Sequence, residues 1–368
     1  MIYREYGTTG KKVSAIGFGG MRFEHIDDRD ECVGMMVQAA EGGINYFDTA
    51  PKYFGTKSEE AYGEGLAELR RRGHHYYLST KTFESEPDAV RRELDGQLSR
   101  LGVDHIDFYH IWCITNLENW RERKRNGVLD VFQKLKEEGL IRHICVSSHL
   151  IGDEIRELLM EGVFEGVLFG YSAYNFQTRQ KAFDAIRAHK LGCVVMNPLG
   201  GGVIPRNPDL FQFLKTKEEE TVIEGALHFL LAHPEITVSL VGFGLPDHVE
   251  QALSAVNEYD PISAPELQEM KSQAAGSFEG ICTGCHYCDD CPEEIPIPKL
   301  MESYNQKLLY GSDKEVTDRL RFHWNIALDE VVELTDRCIS CGQCEEACTQ
   351  HIPITDRLSE IGELAAVR

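Results

Sequence analysis

Eight of the twelve cysteines lie in two short windows near the C-terminus, and their spacing is typical of iron–sulfur ligands. The windows read C-x2-C-x2-C-x2-C-P and C-x2-C-x2-C-x3-C, formed by Cys282, Cys285, Cys288, Cys291, Cys338, Cys341, Cys344 and Cys348. In two-cluster ferredoxins, three cysteines at this spacing hold one [4Fe–4S] cluster, and the fourth holds the other. The windows therefore predict two [4Fe–4S] clusters. Cys348 would join the first three cysteines of the first window, and Cys291 would join those of the second.

Two structural zinc sites are the alternative for these windows. Zinc favours two close cysteine pairs separated by a longer loop, whereas each window here is a nearly continuous set of four. Pro292 follows the first window as in ferredoxins, but Thr349 replaces the proline after the second. The other four cysteines stand singly in apolar segments, which is typical of small core residues. This cysteine usage predicts a reducing compartment, the cytoplasm.

Charge and hydropathy bear on the partners that can be expected. Asp plus Glu number 60 against 38 Lys plus Arg, so the net charge is -22. A surface of this charge repels nucleic acid. No stretch approaches the roughly 18 apolar residues of a membrane span. We therefore expect neither a nucleic-acid nor a membrane partner.

Eight β-rich runs alternate with amphipathic helical segments between residues 15 and 257. The runs are 15–19, 44–48, 76–81, 105–111, 142–147, 166–171, 193–197 and 237–242. Strands that alternate with helices pair in parallel, and eight such units in about 250 residues predict an α/β fold, the (β/α)8 TIM barrel. We place this barrel at residues 1–262 and a small helical and ferredoxin-like iron–sulfur segment at 263–368. A doubly wound sheet is the alternative, and the strand count disfavours it.

Functional residues of such barrels lie at the C-terminal ends of the strands. The residues at these ends are Asp48, Lys81, His110, Trp112, Ser147, Ser148, Tyr171, Asn197 and Gly242. A single Lys and Asp at a barrel mouth are as often a structural ion pair as a catalytic one. Convergence of several polar side chains at one rim favours a catalytic site.

The stretch INYFDTAPKYFGTKSEEAYGEGL (44–66) resembles the signature of the aldo/keto reductase family, in which Thr-Ala follows an Asp and a Tyr stands five residues after that Asp. Similar stretches around LSTKT, LGVDHIDFY, NPLGGG and VGFGLPDHVEQAL extend the resemblance over roughly residues 1 to 260. With its cysteine windows, the chain resembles the subset of this family that carries a C-terminal ferredoxin-like segment with two [4Fe–4S] clusters.

The resemblance implies an oxidoreductase with Tyr53 as proton donor or acceptor and with Asp48 and Lys81 tuning it. Hydride transfer to a carbonyl places negative charge on its oxygen, which then needs a proton. The pKa of a tyrosine is ordinarily about 10, too high for efficient catalysis at neutral pH. A nearby ammonium favours the phenolate, so we expect Lys81 to lower the pKa of Tyr53.

The family's fourth catalytic residue is a histidine, and without a gap its position falls on Trp112. His110 shares the face of Trp112 but lies about 6–7 Å deeper along the strand, because strand side chains alternate. Tryptophan can donate a hydrogen bond but cannot shuttle a proton. We assign His110 to the catalytic set, with a buried core histidine as the alternative.

The resemblance also implies NADP or NAD as cofactor. The implied contacts are Ser147, Ser148, Tyr171, Asn197, Pro198, Leu199, Gly242 and Gly244. At Gly244 the family places a basic residue for the adenosine 2′-phosphate, and here that charge is missing. NADP, NAD and another electron source therefore all stay open.

Three functions fit these features. The first is reduction of a small-molecule carbonyl, or oxidation of an alcohol, coupled to the two clusters, with a redox partner protein such as ferredoxin. The second is an iron–sulfur electron-transfer protein whose degenerate barrel does not use NAD(P)H. In the third, the clusters only stabilise the C-terminal segment and help to shape the substrate pocket.

Overall fold

The computed structural model describes residues 1–275 and 278–367, which form two compact units. The first unit comprises Met1–Leu199 and Ile204–Ser272, and the second comprises Gly200–Val203 and Gln273–Arg368. The limits of independently folding domains at 1–262 and 263–368 stay predictions.

The first unit is built on a closed barrel of eight parallel strands, preceded by a two-stranded antiparallel hairpin. The hairpin consists of β1 (Tyr3–Glu5) and β2 (Lys12–Ser14). The barrel strands are β3 (Ile16–Gly19), β4 (Tyr46–Asp48), β5 (Tyr77–Thr82), β6 (Ile106–Ile114), β7 (Ile141–Ser148), β8 (Gly166–Gly170), β9 (Gly192–Met196) and β10 (Val238–Gly242). Each strand pairs with the next, and β10 closes the barrel on β3. The predicted (β/α)8 fold is confirmed.

Helices connect these strands. They are α1 (Arg29–Glu41), α2 (Lys57–Arg72), α3 (Pro87–Leu101), α4 (Leu117–Arg125), α5 (Val128–Glu137), α6 (Gly152–Met160), α7 (Phe176–Arg179), α8 (Ala182–His189), α9 (Val203–Arg206), α10 (Val222–Leu231), α11 (Pro246–Asn257) and α12 (Ala264–Ala274), with 3-10 turns at Gly200–Gly202 and Pro208–Leu214. Local sequence sets several of their ends. At the start of α10, for example, Thr221 and Glu224 form a capping box that satisfies two backbone N–H groups.

The loop between β1 and β2 inserts Tyr6 into the N-terminal end of the barrel. The side chain is fully buried and stacks on Phe108 with ring centroids 4.0 Å apart. Gly166 and Gly192 begin β8 and β9, and a Cβ atom on either would overlap the Tyr6 ring. The absence of side chains at these glycines makes room for the aromatic ring that fills this end of the core.

Replacing Gly192 by Ala should therefore destabilise the barrel by on the order of 3 kcal/mol, since the fully packed Tyr6 ring has nowhere to move. Gly34→Ala is the matched control, because Gly34 lies exposed in α1 with open space around it. That control should stabilise the protein by up to about 1 kcal/mol through helix propensity. Urea unfolding measures both, and equal midpoints for the two variants would contradict the packing described.

The pairing of β6 with β7 contains an irregularity beside the barrel mouth. Ile111 pairs with Val146 but Ile114 pairs with Ser148, so β6 has one residue more than its partner there. Cys113 takes a left-handed conformation at φ 61° within this bulge. A bulge interrupts the alternation of side chains and redirects them. The orientation of Trp112 therefore does not follow from its distance in sequence to His110.

The second unit is helical. Its helices are α13 (Ile297–Tyr310), α14 (Asp313–Asp318), α15 (Leu328–Asp336), α16 (Gln343–Glu346) and α17 (Ile354–Ala366), with a π-helical turn at Arg319–His323. Leu300, Leu320, Val331 and Ile361 are fully buried in its core, and Cys282, Cys288 and Cys344 pack against this core. The cysteine windows occupy the segments before α13 and around α16. None of the described helices is long and apolar enough to cross a membrane.

Candidate functional site

Asp48 and Lys81 form a buried ion pair at the C-terminal ends of β4 and β5. The Lys81 ammonium donates to Asp48 Oδ1 and to the backbone carbonyl of Thr49, both at 2.7 Å. Each residue is only 1% exposed. Burial lowers the pKa of Lys81, and the attraction of Asp48 offsets part of that shift. The pair therefore provides a fixed, water-excluded ammonium at the mouth of the barrel.

Two supporting residues escaped the sequence prediction. Ser79 donates to the second carboxylate oxygen of Asp48 at 2.7 Å, and Tyr62 donates to the Asp48 backbone carbonyl at 2.8 Å. Ser79 stands two positions before Lys81 on β5, so strand alternation puts both side chains on one face. That signal was present in the sequence. The position of Tyr62 depends on how α2 packs on the barrel, and no local pattern reveals it.

Tyr53 lies on the loop between β4 and α2. The Lys81 ammonium is 5.3 Å from the centroid of its ring. The pKa of Tyr53 is raised well above 10, first by burial of the phenol and then by the charge of Asp48, although Arg22 acts in the opposite direction. The expectation that Lys81 lowers this pKa is therefore wrong for the free site. The phenol therefore stays protonated at neutral pH.

Trp112, not His110, packs against the candidate proton donor. The Tyr53 and Trp112 rings meet edge to face with centroids 5.7 Å apart, and Phe83 stacks on Trp112 at 3.9 Å. His110 pairs with Lys81 across β5 and β6 and is fully buried. Neither of its ring nitrogens makes a well-formed hydrogen bond with a described residue. His110 thus lies beside Lys81 on the neighbouring strand.

Burial lowers the pKa of His110 to about 3, with the charge of Lys81 as the second cause, and burial lowers that of His233 to about 4. The unfolded chain protonates these imidazoles near pH 6.5, whereas the folded chain does not. The stability that they contribute is therefore complete above pH 6.5 and is lost as the pH falls toward 4. Each histidine should add up to about 1.4 kcal/mol per pH unit to this loss. Buried Glu59 and Glu93, whose pKa values are raised, act in the opposite direction.

The contribution of His110 is isolated by comparing urea midpoints of wild type and His110→Asn between pH 7 and 5. The variant should lose stability less steeply than wild type over this interval. Equal slopes for the two proteins would mean that His110 is not held neutral by the fold.

Ser147 and Ser148 end β7 in the candidate nicotinamide region. The Ser147 hydroxyl is 1% exposed and has no hydrogen-bond partner among the described residues. The Ser148 hydroxyl accepts from the Leu150 amide at 3.2 Å and so shapes the following turn. An unsatisfied buried hydroxyl costs free energy unless a ligand pairs with it. Ser147 therefore fits the carboxamide of a nicotinamide, whereas Ser148 already has a structural role.

Tyr171, predicted as a nicotinamide contact, is fully buried in an aromatic cluster. Its hydroxyl hydrogen-bonds to His233 Nε2 at 3.1 Å, and its ring lies 4.9 Å from that of Phe183. The structure thus commits this hydroxyl to His233. A cofactor contact by Tyr171 stays a prediction.

The segment Asn197, Pro198 and Leu199 follows β9 and leads directly into Gly200–Val203, which belongs to the second unit. Asn197 adopts φ 57°, and the chain turns sharply there. Gly201 lies so close to the Thr283 backbone carbonyl that a Cβ atom would overlap it. The glycine run at 200–202 therefore allows close approach to the loop that carries Cys282. The glycines at 200–202 therefore have a packing role in addition to forming a turn.

Gly242 and Gly244 follow β10. A Cβ atom on Gly244 would lie 3.0 Å from the Arg22 carbonyl and 3.2 Å from Glu24 Oε1. His248 Nδ1 lies 3.3 Å from the Gly244 amide and 3.4 Å from the Leu245 amide, at the start of α11. The Glu24 carboxylate therefore lies beside Gly244, where the resemblance places a basic residue.

The loop before α13 carries the first candidate iron–sulfur ligands. Asn305 on α13 accepts from the Cys282 amide at 2.8 Å and donates to its carbonyl at 2.9 Å. Burial, together with smaller contributions from the thiols of Cys285 and Cys348, raises the pKa of Cys282 to about 12. Cys288 responds to the same neighbours. The thiols of Cys282, Cys285, Cys288 and Cys348 therefore act on one another, and their joint binding of one cluster stays a prediction.

A cavity of about 210 Å³ lies beside the second window. The cysteines that line it are Cys288, Cys291, Cys338, Cys341 and Cys344. Cys291 therefore shares this space with the first three cysteines of the second window, again in the crossed arrangement. Cys288, which the crossed arrangement assigns to the other cluster, also lines this cavity.

The cysteine chemistry fits iron–sulfur clusters. All twelve cysteines are free thiols. Within residues 1–275 and 278–367, no three or more His, Cys, Asp or Glu side chains are arranged to hold a single metal ion. Structural zinc requires four ligands about 2.0–2.3 Å from one ion. The cysteines of the second window line a cavity with Cys288 and Cys291, and cluster binding would replace the thiol protons.

Comparisons with known proteins agree with these two units. The model of the aldo/keto reductase family matches residues 15–274, and that of the 4Fe-4S dicluster domain matches residues 281–352. L-galactose dehydrogenase of Arabidopsis thaliana is 29% identical over 308 residues, which cover 76% of this chain and 94% of the relative. NADH-specific methylglyoxal reductase of Escherichia coli is 27% identical over 229 residues, which cover 54% of this chain and 67% of the relative. An aldo-keto reductase of Bacillus halodurans in its holo form superposes with a TM-score of 0.65 at 26% identity, over 74% of this chain and 96% of that one.

Proposed function

The chain belongs to the aldo/keto reductase family and carries a C-terminal 4Fe-4S dicluster domain, and on this premise we propose that its barrel reduces a small-molecule carbonyl, or oxidises the corresponding alcohol, at Tyr53. The observation that carries the proposal is the geometry at the barrel mouth. A buried ammonium, held 2.7 Å from Asp48, lies 5.3 Å from the ring of a tyrosine whose phenol stays protonated.

In the reducing direction, Tyr53 gives its hydroxyl proton to the carbonyl oxygen as negative charge develops there. A bound nicotinamide supplies the hydride that the carbonyl carbon accepts. Lys81 then stabilises the phenolate left on Tyr53, and Asp48 keeps the ammonium charged and in place. Solvent returns the proton to Tyr53 after the alcohol leaves.

The aromatic side chains and Arg22 define the surroundings of the reacting oxygen. Trp112 and Phe83 form a stacked pair against Tyr53 and exclude water from one side. Arg22 acts on the charge of Tyr53, so we place its guanidinium near the substrate as a site for an anionic group. His110 stays neutral at physiological pH and serves as a buried polar neighbour of Lys81, without the imidazolium form that would act as a general acid.

We propose NAD rather than NADP as the preferred cofactor. The support is Glu24, which lies beside Gly244 and would repel a 2′-phosphate. A carboxylate at a ribose site accepts hydrogen bonds from the ribose hydroxyls of NAD. The relative from Escherichia coli is NADH-specific by name, in line with this preference.

The clusters are proposed to exchange single electrons with a redox partner protein such as ferredoxin, in a reducing compartment such as the cytoplasm. A nicotinamide moves electrons in pairs, whereas a cluster moves one at a time. The clusters therefore stand outside the hydride step itself.

Anaerobic purification with iron and sulfide analysis, followed by titration with NADH and with NADPH, tests these assignments. We expect iron and sulfide for two full clusters, and tighter binding of NADH than of NADPH. Tighter binding of NADPH would overturn the role of Glu24. Absence of binding of either cofactor would favour the alternative of an electron-transfer protein with an inactive barrel.

A further inference from the structure

Thr349 follows the last cysteine of the second window, at the place where the first window has Pro292. Its side chain is fully buried, and its hydroxyl oxygen lies 3.4 Å from Cys285 Sγ. A proline can offer neither a hydroxyl nor an N–H group. The two windows therefore differ in the donors that they bring to the cysteine sulfurs.

The donor in the contact between Thr349 and Cys285 follows from the state of the cysteine. Gln350 Nε2 donates to the Thr349 hydroxyl oxygen at 3.1 Å. A cysteine that ligates iron is a thiolate, which has no proton and can only accept. The Thr349 hydroxyl can accept from Gln350 and donate at the same time, so with Cys285 as a thiolate it is the hydroxyl that donates to Cys285 Sγ.

Backbone groups add to this contact. The Gly284 amide lies 3.5 Å from Cys282 Sγ, and the Ile352 amide lies 3.4 Å from Cys348 Sγ. Three sulfurs of the set Cys282, Cys285, Cys288 and Cys348 thus have a donor nearby. Only the donor from Thr349 depends on a side chain, so it is the one that substitution can remove.

We propose that Thr349 is a positioning residue that raises the reduction potential of the cluster held by Cys282, Cys285, Cys288 and Cys348, so that the two clusters differ in potential. Reduction adds one electron to the cluster, with no bond formed or broken. The added negative charge makes a hydrogen bond to the ligating sulfur more favourable in the reduced than in the oxidised state. The inference rests on the proposed cluster assignment.

The test is an anaerobic redox titration with dithionite as reductant, followed by EPR, of the full chain with both clusters. Thr349→Val keeps the shape of the side chain and should lower the potential of one cluster while the other stays unchanged. Thr349→Ser retains the hydroxyl and should restore the wild-type value. Thr335→Val is the matched control, since the buried Thr335 hydroxyl donates to the Val331 and Val332 carbonyls within α15.

Equal potentials in wild type and Thr349→Val would overturn the inference, as would equal shifts in Thr349→Val and Thr335→Val. If the valine variant loses a cluster, Thr349→Ala supplies the same comparison with a smaller side chain. A wild-type protein without cluster EPR signals or bound iron would instead overturn the cluster assignment. The failure of the inference is therefore distinguishable from the failure of the proposed function.

Discussion

Replacing Tyr53 by Phe should lower kcat/KM for carbonyl reduction by about 100- to 10,000-fold, the usual contribution of a positioned general acid. The substitution removes only the hydroxyl and leaves the ring against Trp112. Lys81 and Asp48 keep their ion pair, so the fold should be unaffected. By contrast, removing either member of that buried pair would cost about 3–5 kcal/mol of stability. Tyr53 is therefore the cleaner position at which to test the chemistry.

Tyr3→Phe is the matched control for this substitution. Tyr3 lies on β1 and donates its hydroxyl to the Gly43 carbonyl at 2.9 Å, apart from the candidate site. Its variant should keep wild-type turnover. Steady-state rates with NADH and a panel of aldehydes and ketones measure both variants. Wild-type turnover in Tyr53→Phe would rule out the proposed proton donor.

The double substitution of Cys291 and Cys341 by Ala should remove one cluster and halve the iron content. In the crossed arrangement both residues serve the same cluster, so the double variant should lose no more iron than either single variant. If each window held its own cluster, the same double variant would lose both. Neither side chain is fully buried, which limits any effect on packing.

Iron analysis and EPR of the reduced protein distinguish these arrangements. The complementary pair, Cys291→Ala with Cys282→Ala, should remove both clusters in the crossed arrangement, but only one if each window held its own cluster. Cys32→Ala is the control, because Cys32 is buried in α1 and should not affect the iron content. Loss of all iron from Cys291→Ala with Cys341→Ala would contradict the crossed arrangement.

The barrel could be predicted from the sequence because each strand is short, β-rich and separated from the next by an amphipathic helix. Asp48 and Lys81 end neighbouring strands, and in a parallel barrel such residues must meet at one rim. Their 2.7 Å contact therefore follows from topology. The crossed cysteine pairing stays a prediction from the ferredoxin spacing.

Other features depend on packing that no local pattern encodes. Trp112 lies against Tyr53, at the position expected for it, but the bulge between Ile111 and Ile114 of β6 was not predicted. The pKa of Tyr53 is raised by burial and by the charge of Asp48, opposite to the expected direction. The close approach of Gly201 to Thr283 joins segments far apart in sequence. None of these three features could be predicted from the sequence alone.

Transfer of deuterium from NADH labelled at C4 of the nicotinamide to the product alcohol tests the central claim most directly. The reaction is run anaerobically with the cluster-loaded protein and a carbonyl substrate, and the alcohol is analysed by mass spectrometry. If the barrel performs hydride transfer at Tyr53, the alcohol carries deuterium on its carbinol carbon, and Tyr53→Phe forms almost none. Alcohol that forms without deuterium, with electrons drawn from reduced clusters, would contradict the account.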